Sequence, residues 1–158
     1  MNPTVLIRTE TPEQLTQLQN GLDACEGVRA IVSSPHDFVR LRQLDALFLS
    51  LPMAENWGSR PIPLHTCEVL RNPGLPELSS FPPYAVTGVL LRPNEEFVGP
   101  AVVSLAVRAA VEAVVAFNRA SEHPIRLIGF PDIDSYWPGA EWADVGRTIA
   151  AGYVEALR

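Results

Sequence analysis

Short apolar runs alternate with longer amphipathic ones along most of this chain, and that alternation predicts a layered α/β domain. Residues 4–8 read as a first strand. Thr11-Pro12-Glu13-Gln14 then supplies an N-cap, a proline at the first helical position and a glutamine at the capping-box position. Leu15, Leu18 and Leu22 follow at helical spacing, so a helix is expected to about Cys25, ended by Gly27. Residues 28–33 are apolar and β-branched and form the second expected strand. Ser34-Pro35-His36-Asp37 caps a short helix through about Arg42. The run LDALFLSL, residues 44–51, reads as a strand buried on both faces.

Residues 52–83 are rich in proline and the least regular third of the chain; 65–71 suits a short helix or a strand equally. A connector of that length inside a compact domain is expected to be functional or partly helical. Residues 84–91 form the next strand. The most apolar helix is expected over about 101–121, with Ser104, Arg108 and Glu112 as a narrow polar stripe and apolar side chains elsewhere. A strand at 125–130, a loop at 131–141 and an amphipathic helix carrying Val145, Ile149, Tyr153, Val154 and Leu157 complete the order. A single domain is expected.

The 158 residues are 47% hydrophobic and 19% charged, a globular balance. The net charge of −6 argues against non-specific nucleic-acid binding, which requires basic side chains to neutralise phosphates. All twelve basic residues are arginine. Without lysine, Schiff-base chemistry, a Walker A phosphate loop and a Ser-Lys dyad are excluded. Anion recognition must then come from arginine, helix N-termini or backbone amides. No apolar run is expected to reach the ~20 residues of a bilayer span, and the start carries no signal-peptide pattern. Cys25 and Cys67 are too few for a disulfide framework, so reduced thiols and a cytoplasmic location are expected.

His65-Thr66-Cys67-Glu68 places a histidine and a cysteine at alternate positions, the spacing of one strand face. A nucleophile pair also needs mutual contact and an oxyanion site, and a buried structural cysteine is the stronger expectation. The pattern is not that of a zinc deaminase either. Asp132, Asp134 and Glu141 have the chemistry of a Mg²⁺ site, but acids near a helix start more often simply favour the positive end of its dipole. No cofactor or resident metal is expected.

Three segments, in order, resemble macro domains, the family that binds ADP-ribose and related nucleotides. HDFVRLRQLDALFLSL (36–51) is similar to the family's Gly-Asp-Ile step followed by an Asp-Ala strand, with Asp37 and Asp45-Ala46 at the matching positions. Residues 84–118 look like the strand, arginine and Ala-rich helix of one bacterial and phage-type subgroup. Residues 125–157 match a strand, a Phe-Pro step, a glycine loop and a closing helix. The resemblance implies a three-layer α/β/α sandwich around a mixed sheet, with ligand at the carboxyl ends of the central strands. It places Asp37 at the adenine edge, although Asp37 would serve equally as a helix-capping acid. It places Trp57 and Gly58 in a first ligand loop, Arg92 at a strand end, and Asp134, Ser135, Tyr136, Trp137 and Gly139 in a second loop, although Trp57 is better expected to anchor the irregular segment and Arg92 to be a solvated strand-end residue. Tyr136 and Trp137 suit either stacking on a base or packing over the last helix.

Two departures matter. The family's Asn-Ala-Ala-Asn is here Leu49-Ser50-Leu51-Pro52, so the amides that hold the distal ribose and assist hydrolysis are missing. Asp132 and Asp134 enter the phosphate loop, where like charge opposes a diphosphate. The expected function is therefore non-catalytic binding of ADP-ribose or a related nucleotide-type ligand. The rival expectation is an interaction module with a closed pocket that binds a protein partner or a second copy. A hydrolase using Asp37, His65 or Asp134 as base is a third.

Overall fold

The computed structural model describes residues 2–59, 61–90 and 99–158. Its strands are β1 (Thr4–Thr9), β2 (Val28–Val32), β3 (Ala46–Phe48), β4 (Thr66–Arg71), β5 (Tyr84–Val89) and β6 (Leu127–Phe130). The helices are α1 (Pro12–Leu22), α2 (Pro35–Phe38), α3 (Pro100–Ala120) and α4 (Trp142–Ala156). The described residues form one six-stranded sheet in the order β2-β1-β6-β3-β5-β4. Five strands are parallel and β4 runs antiparallel along β5, so the sheet is mixed and the α/β class expected from the pattern is correct.

Period-two alternation sorts the strands between two cores. Val5, Ile7, Ala46, Phe48, Val86, Ile128 and Phe130 face α1, α3 and α4, which all lie on one side. Leu6, Leu47, Ala85 and Leu127 face the other, where Phe38 of α2, Trp57, Leu78 and Leu44 cover them. That second layer is thin. It is built from the four-residue α2 and from 3₁₀ turns at Pro52–Trp57 and Pro76–Leu78 rather than from long helices. The physical reason is local: prolines at 52, 61, 63, 73, 76, 82 and 83 interrupt any helical ladder in this stretch.

Several boundaries differ from expectation. α1 is capped as predicted, Gln14 N–H donating to Thr11 Oγ1 at 3.2 Å, but it stops at Leu22. Asp23 and Ala24 follow with φ of 48° and 58°, left-handed conformations that cannot continue the helix. α2 ends at Phe38, not Arg42. The strand expected over 44–51 pairs only at Ala46–Phe48. Asp45 Oδ2 accepts from the Arg126 and Leu127 amides at 2.8 and 3.0 Å, which closes its start, and the turn at Pro52 follows soon after its end. Residues 66–71, undecided between helix and strand, are the edge strand β4.

α3 corrects a further expectation. Its 21 residues are long and apolar enough, by length and composition, to cross a bilayer. In this fold they are a core helix, packed against β4, β5 and α4, with Arg108 and Glu112 paired on the polar stripe at 3.7 Å.

α4 crosses both α1 and α3 at glycines. A Cβ on Gly146 would lie 2.5 Å from the Leu18 carbonyl oxygen, and one on Gly152 2.5 Å from that of Ser104. Gly146→Val is therefore expected to push α1 and α4 apart and destabilise the domain by about 2–3 kcal/mol, as overpacked cores do. A urea melt checks it; an unshifted midpoint would mean that the two helices are not in backbone contact.

Candidate functional site

The parallel strands β1, β3 and β6 release their chains at the same end of the sheet, and a crevice of about 520 Å³ opens there. Arg8 from β1, Phe48 to Ser50 from the end of β3, and Pro131 after β6 form its base. Pro35 and Val39 border it from the α2 segment, and Met53 and Phe81 from the proline-rich region. Asp132, Ser135 and Tyr136 contribute from the 3₁₀ turn Ile133–Tyr136. Most of this wall is apolar or aromatic.

Arg8 organises the polar side. It is only 6% exposed although it sits in the strand TVLIRT, where alternation turns it away from Ile7 and Thr9. Its Nε donates to the Pro131 carbonyl at 2.7 Å and its Nη1 to the Ser33 carbonyl at 3.2 Å. Glu10 Oε1 lies 3.5 Å from the same Nη1. The guanidinium thus ties the ends of β1, β2 and β6 together and keeps a buried charge satisfied. Among the described residues Nη2 makes no bond to the protein.

Beneath the aromatic side, Phe48 stacks on Phe130 with centroids 4.7 Å apart, and Tyr136 meets Phe48 edge-on at 6.4 Å. Burial, with Asp132 nearby, pushes the Tyr136 hydroxyl up to about 12, so it stays neutral at physiological pH. The Asp134 carboxyl is raised above its ordinary range, first by burial and then by Asp132 and Glu10; its own backbone N–H and Arg8 oppose the shift. Ser135 Oγ donates to the Asp132 carbonyl at 2.7 Å and braces the turn.

The residues singled out in the sequence distribute unevenly over this geometry. Ser135 and Tyr136 line the crevice with Asp132, whereas Asp134, in the same turn, is half-buried and not part of the lining. Asp37 belongs to α2 beside the crevice but is exposed and not part of its lining; its N–H donates to Ser34 Oγ at 3.1 Å. Trp57 is buried in the second core against Phe81, 6.3 Å between centroids, so it anchors the irregular segment. Gly58 closes the same turn at φ 81°, a left-handed conformation suited to glycine. Trp137 packs on the main core and Gly139 turns the loop beyond it at φ 78°. Arg92 lies outside the described residues.

The other constellations separate. His65 is exposed with φ 66° ahead of β4, and Cys67 is half-buried against the main core. Burial, helped by Glu112, pushes the Cys67 thiol up to about 12, so its sulfur is not an activated nucleophile. Asp132, Asp134 and Glu141 do not assemble into a cation site; among the described residues no group of three or more His, Cys, Asp or Glu is placed to hold a metal.

Arg8, Phe48, Ser50, Met53 and Phe81 are functional candidates that the sequence reading missed. Arg8 left a signal. A charge near the carboxyl end of a strand buried on both faces must meet compensating groups, and in parallel sheets those ends border ligand crevices.

The fold and this crevice define the class: a parallel-rich α/β domain with an open hollow at the carboxyl ends of its central strands. Comparison with protein-family models, with curated proteins and with solved structures gives no match to this chain.

Proposed function

We propose that this protein is a divergent macro-like domain that binds a nucleotide-type small molecule, ADP-ribose or a relative, in the carboxyl-end crevice without chemically changing it. The observation that carries the proposal is the crevice itself. About 520 Å³ of hollow is lined by Arg8 and by the rings of Phe48, Phe81 and Tyr136, a size and mixture suited to an aromatic base with an attached polar group. Three segments distant in sequence, around residues 35–39, 48–53 and 131–136, meet there, as the family resemblance implies. The opening favours a ligand over the interaction-module reading, which requires a filled pocket. The hydrolase reading is weaker, because Asp37 and His65 are absent from the lining and the strand lacks asparagine.

Isothermal titration and thermal-shift measurement with ADP-ribose, 3′,5′-cyclic AMP and adenosine test the proposal. Saturable heat with any of the three, abolished by the crevice-filling Ser50→Trp variant at unchanged fold, is the expected outcome. No heat and no shift at millimolar concentrations of all three would remove it.

A further inference from the structure

Resting on that crevice reading, we infer that the site discriminates by charge. It favours an aromatic nucleoside that is uncharged or carries one singly charged group, such as a phosphodiester, and it binds the diphosphate of ADP-ribose more weakly. Asp132, in the lining, is the specificity-determining residue, and Asp134 follows it in the same turn.

Among the described residues, Arg8 is the only cation in the crevice lining, and two of its donor positions are occupied by the Pro131 and Ser33 carbonyls. Nη2 makes no bond among the described residues and is left for an anion. The acids near Arg8 outnumber it: Glu10 sits 3.5 Å from Nη1, Asp132 lines the hollow, and half-buried Asp134 follows in the turn Ile133–Tyr136. Burial above all raises the Asp134 carboxyl, with Asp132 and Glu10 adding to the shift and Arg8 opposing it. The usual remedies are missing from this geometry: no described group is placed to hold a bridging cation. The turn facing the crevice is too short a helix to act as an anion seat, and it carries the acids itself. A doubly charged diphosphate would meet repulsion from the exposed Asp132 in the lining, which added salt weakens. A neutral nucleoside meets none, and a monoanion can be matched by Arg8 alone.

Adenosine, 3′,5′-cyclic AMP and ADP-ribose keep the base constant while raising the charge stepwise. Titrated against the whole chain at neutral pH, adenosine and cyclic AMP are expected to bind at least tenfold tighter than ADP-ribose. In the Asp132→Asn/Asp134→Asn variant, ADP-ribose should gain about tenfold while adenosine changes less than threefold. Raising the salt concentration should strengthen ADP-ribose binding to the native chain, because repulsion is screened. Exposed Asp132 is also replaced alone, so that a folding defect from Asp134 cannot mask the result; part of the gain should persist. ADP-ribose binding tightest to the native chain, or weakening with salt, would overturn the charge inference and leave the crevice reading standing. Absence of binding by all three probes would remove both.

Discussion

Phe130→Ala is expected to destabilise the domain by about 3–5 kcal/mol, the range for deleting a fully buried aromatic ring from a packed core. In a chain of this length that lowers the melting temperature by roughly 10–15 °C. Phe130 is completely buried at the centre of the sheet and its ring carries Phe48 at 4.7 Å. The ring therefore supports the main core and also the floor of the crevice, because Phe48 lines the hollow. Phe130→Leu, which leaves less void, should recover most of the stability. Thermal and urea melts of both variants decide the matter, and a shift below about 2 °C for the alanine variant would mean that this pair is not packed as described.

Arg8→Met should have the next largest effect, and a double one. Two backbone carbonyls, of Pro131 and Ser33, lose a charged donor, which is expected to cost about 2–3 kcal/mol after the methionine stem refills part of the space. The melting temperature should fall by roughly 5–10 °C. Binding should change selectively: cyclic AMP loses at least tenfold, whereas adenosine, which places no anion on the guanidinium, loses much less. Arg8→Lys tests the geometry. It keeps the charge but not the planar fork that reaches two carbonyls at once, so its stability should lie between methionine and native. Equal weakening of both ligands would assign Arg8 to crevice shape alone.

Local signals predicted local structure well. Thr11 and Ser34 start their helices because a hydroxyl satisfies free amides at a helix start, a matter of three or four consecutive residues. The long apolar α3 was visible for the same reason. Its placement was not, since a helix that packs against strands on one side and α4 on another has the same composition as one crossing a bilayer. The run at 44–51 was legible as buried but not as three paired residues. Its neighbours are distant strands, to one of which Asp45 Oδ2 also holds amides 81 and 82 residues away, and no local pattern encodes that. Trp57 shows the converse. Its place in the first loop suited either a ligand wall or an anchor for an irregular segment, and only the contact with Phe81 across the proline-rich stretch decided for the anchor.

What the sequence determined on its own is the order and kind of most elements, the two capped helix starts, and the reliance on arginine for any anion chemistry. Tertiary structure alone decided that β4 runs against the other strands and that one face has three long helices while the other has turns. It also brought Arg8 to Pro131 across 123 residues to make the polar wall of a crevice. The division follows from range. Capping and hydrophobic period act over a single turn or strand, whereas a site at strand ends exists only once the strand order has chosen which distant segments become neighbours.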